Sequence, residues 1–198
     1  MRRRSVHRLM LVAIFAAGLA GVGAAQESTS KEPTKRALLI GIDKYKSPNI
    51  RSLSGAVNDV RLMRQILVGK FDVRPDNIVV LEDERATRNG IIEAIKTHLI
   101  AKAKPDDIVI LHFSGHGSQV KTNSANEADG LNESIVPLDY ATAGLLADED
   151  LYRHLVKRLP ADVTLYAIFD CCHSGTILDL RFAYQTNRGW LADPSIRL

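Results

Sequence analysis

Short apolar runs alternate with amphipathic stretches along this chain. Ala37-Leu-Leu-Ile-Gly-Ile42, Asn77-Ile-Val-Val-Leu81, Ile108-Val-Ile-Leu-His-Phe113 and Val163 to Phe169 are each four to seven residues long and bounded by turn residues. Runs of this kind predict strands buried on both faces. Between them the apolar spacing changes to three and four residues. Ser54 precedes a pattern of Val57, Val60, Met63, Ile66 and Leu67, which predicts a helix. Thr87 is placed to cap a second helix running to about Lys102, with Ile91, Ile92, Ala94, Ile95 and Leu99 on its apolar face. Asp148 reads as the N-cap of a third, Glu149 to Leu159, whose acids fall in the first turn. Gln119 to Glu133 is polar and reads as a loop, and Ile135-Val-Pro-Leu138 as a short extended piece. Strands alternating with helices predict an α/β fold with a mainly parallel sheet covered on both faces.

The chain begins differently. Arg2, Arg3, Arg4 and Arg8 precede an apolar segment, Leu9 to Ala20, and small residues through Ala25. Residues 1–25 therefore read as a secretory signal, too short in its apolar part for a comfortable membrane span. Residues 26–35 read as a polar linker. Without the four leader arginines the net charge of +3 becomes −1, so no basic surface points to nucleic acid. A secreted or periplasmic protein with no membrane attachment after signal cleavage is expected. The only two cysteines, Cys171 and Cys172, are adjacent. A disulfide between neighbours needs a strained ring, and with His173 beside them they are too crowded for zinc. They read as thiols.

Two of the apolar runs end in reactive groups. One breaks into Ser114-Gly-His-Gly117, the other into Asp170-Cys-Cys-His-Ser-Gly175. Strand ends are where ligands meet an α/β sheet. A thiol needs a base to become a nucleophile at neutral pH, and His116 can serve if the two strand ends are neighbours. Turn amides near Gly117 and Cys172 could then hold an oxyanion. The chemistry implied is acyl transfer through a thioester, with His116 as acid and base. His112, inside its strand, is expected in the core; His98 is expected on a helix surface.

These motifs resemble the caspase-like peptidases, specifically the metacaspases. The similarity covers about residues 36–180 and includes Gly55-Ala-Val-Asn-Asp59, Asp129-Gly-Leu-Asn-Glu133 and Asp148-Glu-Asp150. It implies a caspase-like fold whose C-terminal strands are missing here, residues 181–198 being the start of a small-subunit region or a truncated tail. It implies Cys172, directly before His-Ser-Gly, and His116 as the catalytic dyad, and a specificity pocket of Asp59, Ser114 and Asp170. Two carboxylates there favour Arg or Lys before the scissile bond of a protein or peptide substrate. No cofactor is needed for the chemistry. Calcium activation is a further implication, with Asp129, Asp148, Glu149 and Asp179 as ligands of a kind that suits the ion, although Glu149 and Asn132 stand where the family has aspartate or another acid. The alternatives are a catalytically silent caspase-like binding module, an incomplete fragment, or a vicinal-thiol redox protein, the last lacking the usual Cys-x-x-Cys spacing.

Overall fold

The computed structural model describes residues 32–121 and 131–171. The leader, most of the linker, Asp129, Cys172, Asp179 and the tail beyond lie outside the described residues. The four apolar runs form β1 (Lys35–Gly41), β2 (Ile78–Glu82), β3 (Ile108–Ser114) and β7 (Thr164–Asp170). They pair in the order β2-β1-β3-β7, every pair parallel. β1 is interior, so both its faces are covered. Leu38 and Ile40 join a core with Ile91, Ile95, Leu99, Phe113 and Leu151, while Ala37 and Leu39 meet Val60, Leu67 and Ile110 on the other side. This two-residue alternation is the period of a strand, and it divides the fold into a helix layer on each face of the sheet.

On one face lies α1 (Ala56–Phe71), burying Ala56, Val60 and Leu67. It runs close over β1 because Gly41 has no side chain. A Cβ there would stand 2.7 Å from the Ala56 carbonyl and 2.8 Å from a Val60 methyl. Gly55 holds the N-cap position but offers no side chain to cap the helix. Its first amides, of Ala56 and Val57, donate instead to the Asp43 carboxylate at 2.9 and 3.3 Å. The helix ends at Asp72, which takes a left-handed conformation (φ 54°), and the next amide, of Val73, returns to the Leu67 carbonyl at 3.0 Å.

The other face carries α2 (Arg88–Ala94) and α4 (Asp148–His154). Thr87 caps α2 as expected, its Oγ1 accepting from the Gly90 amide at 3.1 Å. The helix then widens into a π-type turn over Ile95–Ile100. His98 is a correction to the sequence reading: it is buried, and its Nε2 donates to the carbonyls of Ala37 and Asn77 at 3.1 and 2.9 Å. Its position, three residues after buried Ile95, belongs to the apolar face; only its residue type suggested the surface. α4 is shorter than expected, stopping at His154 before a 3-10 turn at Val156–Arg158. Asp148 is its first residue rather than its cap, which is Ala147. Arg88 ties the two helices together through Asp150 at 2.7 Å.

The expected loop at 119–133 is also corrected. β4 (Gly117–Lys121) and β5 (Leu131–Ile135) pair antiparallel, and β6 (Leu146–Ala147) extends them into a second, three-stranded sheet. The hairpin was hidden because β5 buries polar residues, Asn132, Glu133 and Ser134, where strand patterns carry apolar ones. The short α3 (Tyr140–Ala143) links β5 to β6. β7 forms the edge of the parallel sheet among the described residues, and Tyr166 and Ile168 on it are exposed.

Candidate active site

Sequence alone left open whether the two reactive strand ends are neighbours. They are. β3 and β7 pair directly, and Ser114 is in register with Asp170, and with Gly41 on the other side. His116 and Cys172 therefore each follow the same registered pair by two residues. Beyond the ladder the Gly115 amide still reaches the Asp170 carbonyl at 3.3 Å. Cys172 itself lies outside the described residues. Cys171 is half-buried and packs against the core on the α2 face.

His116 is half-buried at the start of the turn into β4. Its ring Nε2 is 2.7 Å from the Arg51 carbonyl. A carbonyl can only accept, so Nε2 carries the proton and Nδ1 of the neutral ring is left with the lone pair. Its backbone amide donates to the Tyr45 hydroxyl at 2.8 Å, and the Tyr45 and His116 rings are 5.1 Å apart. From the far side of the turn, the Val136 amide holds the His116 carbonyl at 3.0 Å. A cleft beside the ring is lined by Ile50, Gly117, Ser118, Val136, Tyr140 and Leu145.

The predicted pocket residues lie on the α1 face. Registered residues of adjacent parallel strands point to the same side of a sheet, so Ser114 and Asp170 share it. Asp59, in the first turn of α1, accepts a hydrogen bond from Ser114 Oγ at 3.1 Å. Asp59 is half-buried and Asp170 exposed. His112, two residues before Ser114 on the same face, is buried as expected, and its Nδ1 has no hydrogen-bond partner. Burial lowers its pKa, against the opposing pull of the Asp170 and Asp59 charges. The imidazole is neutral beneath two carboxylates.

A family description, "Metacaspase, peptidase C14 domain", matches residues 35–181. The chain belongs to the metacaspase family. Metacaspase-1 of Schizosaccharomyces pombe is 40% identical over 185 residues, covering 90% of this chain and 43% of that protein. Metacaspase-1 of Yarrowia lipolytica is 40% identical over 168 residues, covering 82% and 36%. The chain thus spans less than half the length of these relatives. A solved protein structure from Geobacter sulfurreducens superposes with a TM-score of 0.58 at 28% identity, over 74% of this chain and 53% of that one. The mainly parallel sheet is that of a caspase-like fold.

Membership gives the motif residues their context, but several groups around the metacaspase site carry no motif signal. Asp43 anchors the helix that bears Asp59. Asp83 Oδ1 accepts the Asp43 and Lys44 amides at 2.8 and 2.9 Å and so sets the course of the chain leaving β1. Arg51 acts through its carbonyl, which no side-chain pattern can reveal. Tyr45 lies seventy-one residues from its partner.

Of the expected calcium ligands, Asp148 and Glu149 are described. Asp148 is buried, and desolvation raises its pKa, although the Glu149 amide and the Asn132 side chain both hydrogen-bond to it. The Asn132 Oδ1 is a buried oxygen without a partner. These are hard oxygen donors and fit calcium in kind. Among the described residues, however, no three His, Cys, Asp or Glu side chains are gathered for a metal; Asp129 and Asp179 fall outside them. No helix among the described residues is long and apolar enough to cross a membrane.

Proposed function

We propose that this chain carries the catalytic region of a cysteine endopeptidase that cleaves after Arg or Lys. The observation that carries the reading is the shared register of Ser114 and Asp170, from which His116 and Cys172 are equally displaced. In the proposed cycle the Cys172 thiol passes its proton to His116 Nδ1, and the thiolate attacks the substrate carbonyl carbon. Backbone amides at Gly117 and Cys172 take up the oxyanion. The imidazolium then returns the proton to the departing amine, leaving a thioester. His116 next removes a proton from water, whose oxygen attacks the thioester carbonyl. The acid is released, and the proton returns to the Cys172 sulfur. The Arg51 carbonyl stabilises the imidazolium through the Nε2 proton at 2.7 Å.

Selectivity follows from charge. A guanidinium or ammonium entering beside Asp59 and Asp170 meets two carboxylates and the Ser114 hydroxyl, whereas an aspartate side chain is repelled. Calcium belongs to the same proposal as an activator: Asp148 and Glu149, with Asp129 and Asp179, would hold it, and the ion would neutralise a buried acid. The chemistry at Cys172 needs no cofactor. The leader makes the site of action secreted or periplasmic.

Fluorogenic peptides ending in Arg, Lys or Asp test the reading on the mature chain, with and without millimolar calcium. Arg and Lys turnover that is lost in Cys172→Ala and kept in Cys171→Ala is expected. Asp59→Ala should lower kcat/KM for the basic peptides by about thirtyfold or more, the range for leaving a desolvated charge unpaired. Absence of turnover in every condition, with both cysteines alkylated at the same rate, would sink the peptidase and favour a silent binding module.

A further inference from the structure

The chain leaving β1 grips His116 at three points, and Tyr45 supplies two of them. Its hydroxyl accepts the His116 amide at 2.8 Å, and its ring lies 5.1 Å from the imidazole, tilted by 48°. The third grip is the Arg51 carbonyl on Nε2. Tyr45 is itself held in place, because the two residues before it, Asp43 and Lys44, are fixed by Asp83. The approach is close enough to exclude a side chain between them. At Gly115 a Cβ would stand 2.9 Å from the Tyr45 hydroxyl and 2.8 Å from the Phe113 ring. Burial pushes the phenol up to about 12, so the hydroxyl stays neutral and remains a steady acceptor at any working pH.

We propose that Tyr45 is a positioning residue for His116: its hydroxyl anchors the backbone and its ring limits the imidazole to the rotamer that meets Arg51. This rests on the reading of His116 as the acid–base group. The consequence is chemical as well as steric. While Nε2–H is committed to the Arg51 carbonyl, Nδ1 alone can take the thiol proton. If the backbone anchor is lost, the turn loosens, and both the rotamer and the Nε2 contact are lost part of the time. A small misplacement of a catalytic group is enough to cost rate without costing affinity.

Tyr45→Phe is the test, since it keeps the ring and removes only the acceptor. Three quantities are read on the full chain: hydrogen exchange of the His116 amide, exchange of its Nε2 proton by NMR (assigned by its loss in His116→Gln), and kcat and KM on an Arg peptide. Faster exchange at both protons, by about tenfold or more, and a kcat about tenfold lower with KM within twofold are expected. Gly115→Ala, pressing on the same contact from the other side, should give the same pattern. Faster amide exchange with an unchanged Nε2 proton and unchanged kcat would make the bond merely structural and overturn the proposal. So would a lowered melting temperature with neither change. If the wild type shows no turnover, the peptidase reading fails separately, while the two exchange rates still decide whether Tyr45 holds the ring.

Discussion

Asp43→Ala probes a dependence that runs from one carboxylate to the proposed specificity pocket. Asp43 accepts the Ala56 and Val57 amides, two of the orphan donors at the start of α1, and the helix has no side-chain cap of its own. Losing an N-terminal cap costs about 1 kcal/mol, within a range of about 0.5–2. Removing a negative charge from a helix N-terminus adds about 0.3–1 kcal/mol. The sum is about 2 kcal/mol, or a melting temperature lower by about 4–8 °C for a domain of this size. Asp43→Asn keeps an acceptor and loses the charge, so it should fall by only about 1–4 °C. Ser54→Ala, two residues before α1, should change little, since Ser54 is exposed. Thermal and denaturant unfolding followed by circular dichroism give the numbers. Because Asp59 sits in the loosened turn, KM for an Arg peptide should rise in Asp43→Ala, while alkylation of Cys172 keeps its rate. An alanine variant within 1 °C of wild type, or an asparagine variant as damaged as alanine, would refute the capping role.

Further outcomes follow from other contacts. Asp107 is buried and accepts from Arg36 at 3.3 Å and from the Thr34 and Lys104 amides; Asp107→Ala strands a buried guanidinium and should cost about 3–5 kcal/mol in denaturant unfolding. His98 and His112 both have pKa values lowered by burial from 6.5. Through these two groups the folded chain binds fewer protons than the unfolded one, and the stability they contribute, complete above that pH, should fall as pH drops below it. Melting temperatures between pH 7.5 and 5 check this, with a shallower decline in His112→Leu; a flat profile in the wild type would count against it. Gly41→Ala places a methyl against α1 and should destabilise by about 1–3 kcal/mol, with weaker Arg-peptide binding as Asp59 moves from Ser114.

Much of this was legible in residue order. The four strands of the parallel sheet declare themselves because interior strands need apolar residues at every position. Thr87 declares its helix start because a capping hydroxyl lies within three residues of the amide it serves. The two reactive motifs declare themselves because thiol and imidazole chemistry requires particular residue types beside small ones. The β4–β5 hairpin did not, since its buried positions are polar, and their partners lie on a strand and a helix that pattern reading cannot bring beside them. His98 misled for the same reason: a polar ring sits in the core once two carbonyls from distant segments reach it.

By itself, then, the sequence determined which elements form and which residues can do chemistry, because both depend on local composition and short spacing. Tertiary structure alone decided that β3 and β7 are neighbours in a register that sets Ser114 against Asp170. It also brought Asp43 to α1, Tyr45 to the His116 amide and the Arg51 carbonyl to the imidazole. The physical reason is that these contacts join residues distant in the chain, or use backbone atoms that every residue possesses. Only folding brings such partners within hydrogen-bonding reach.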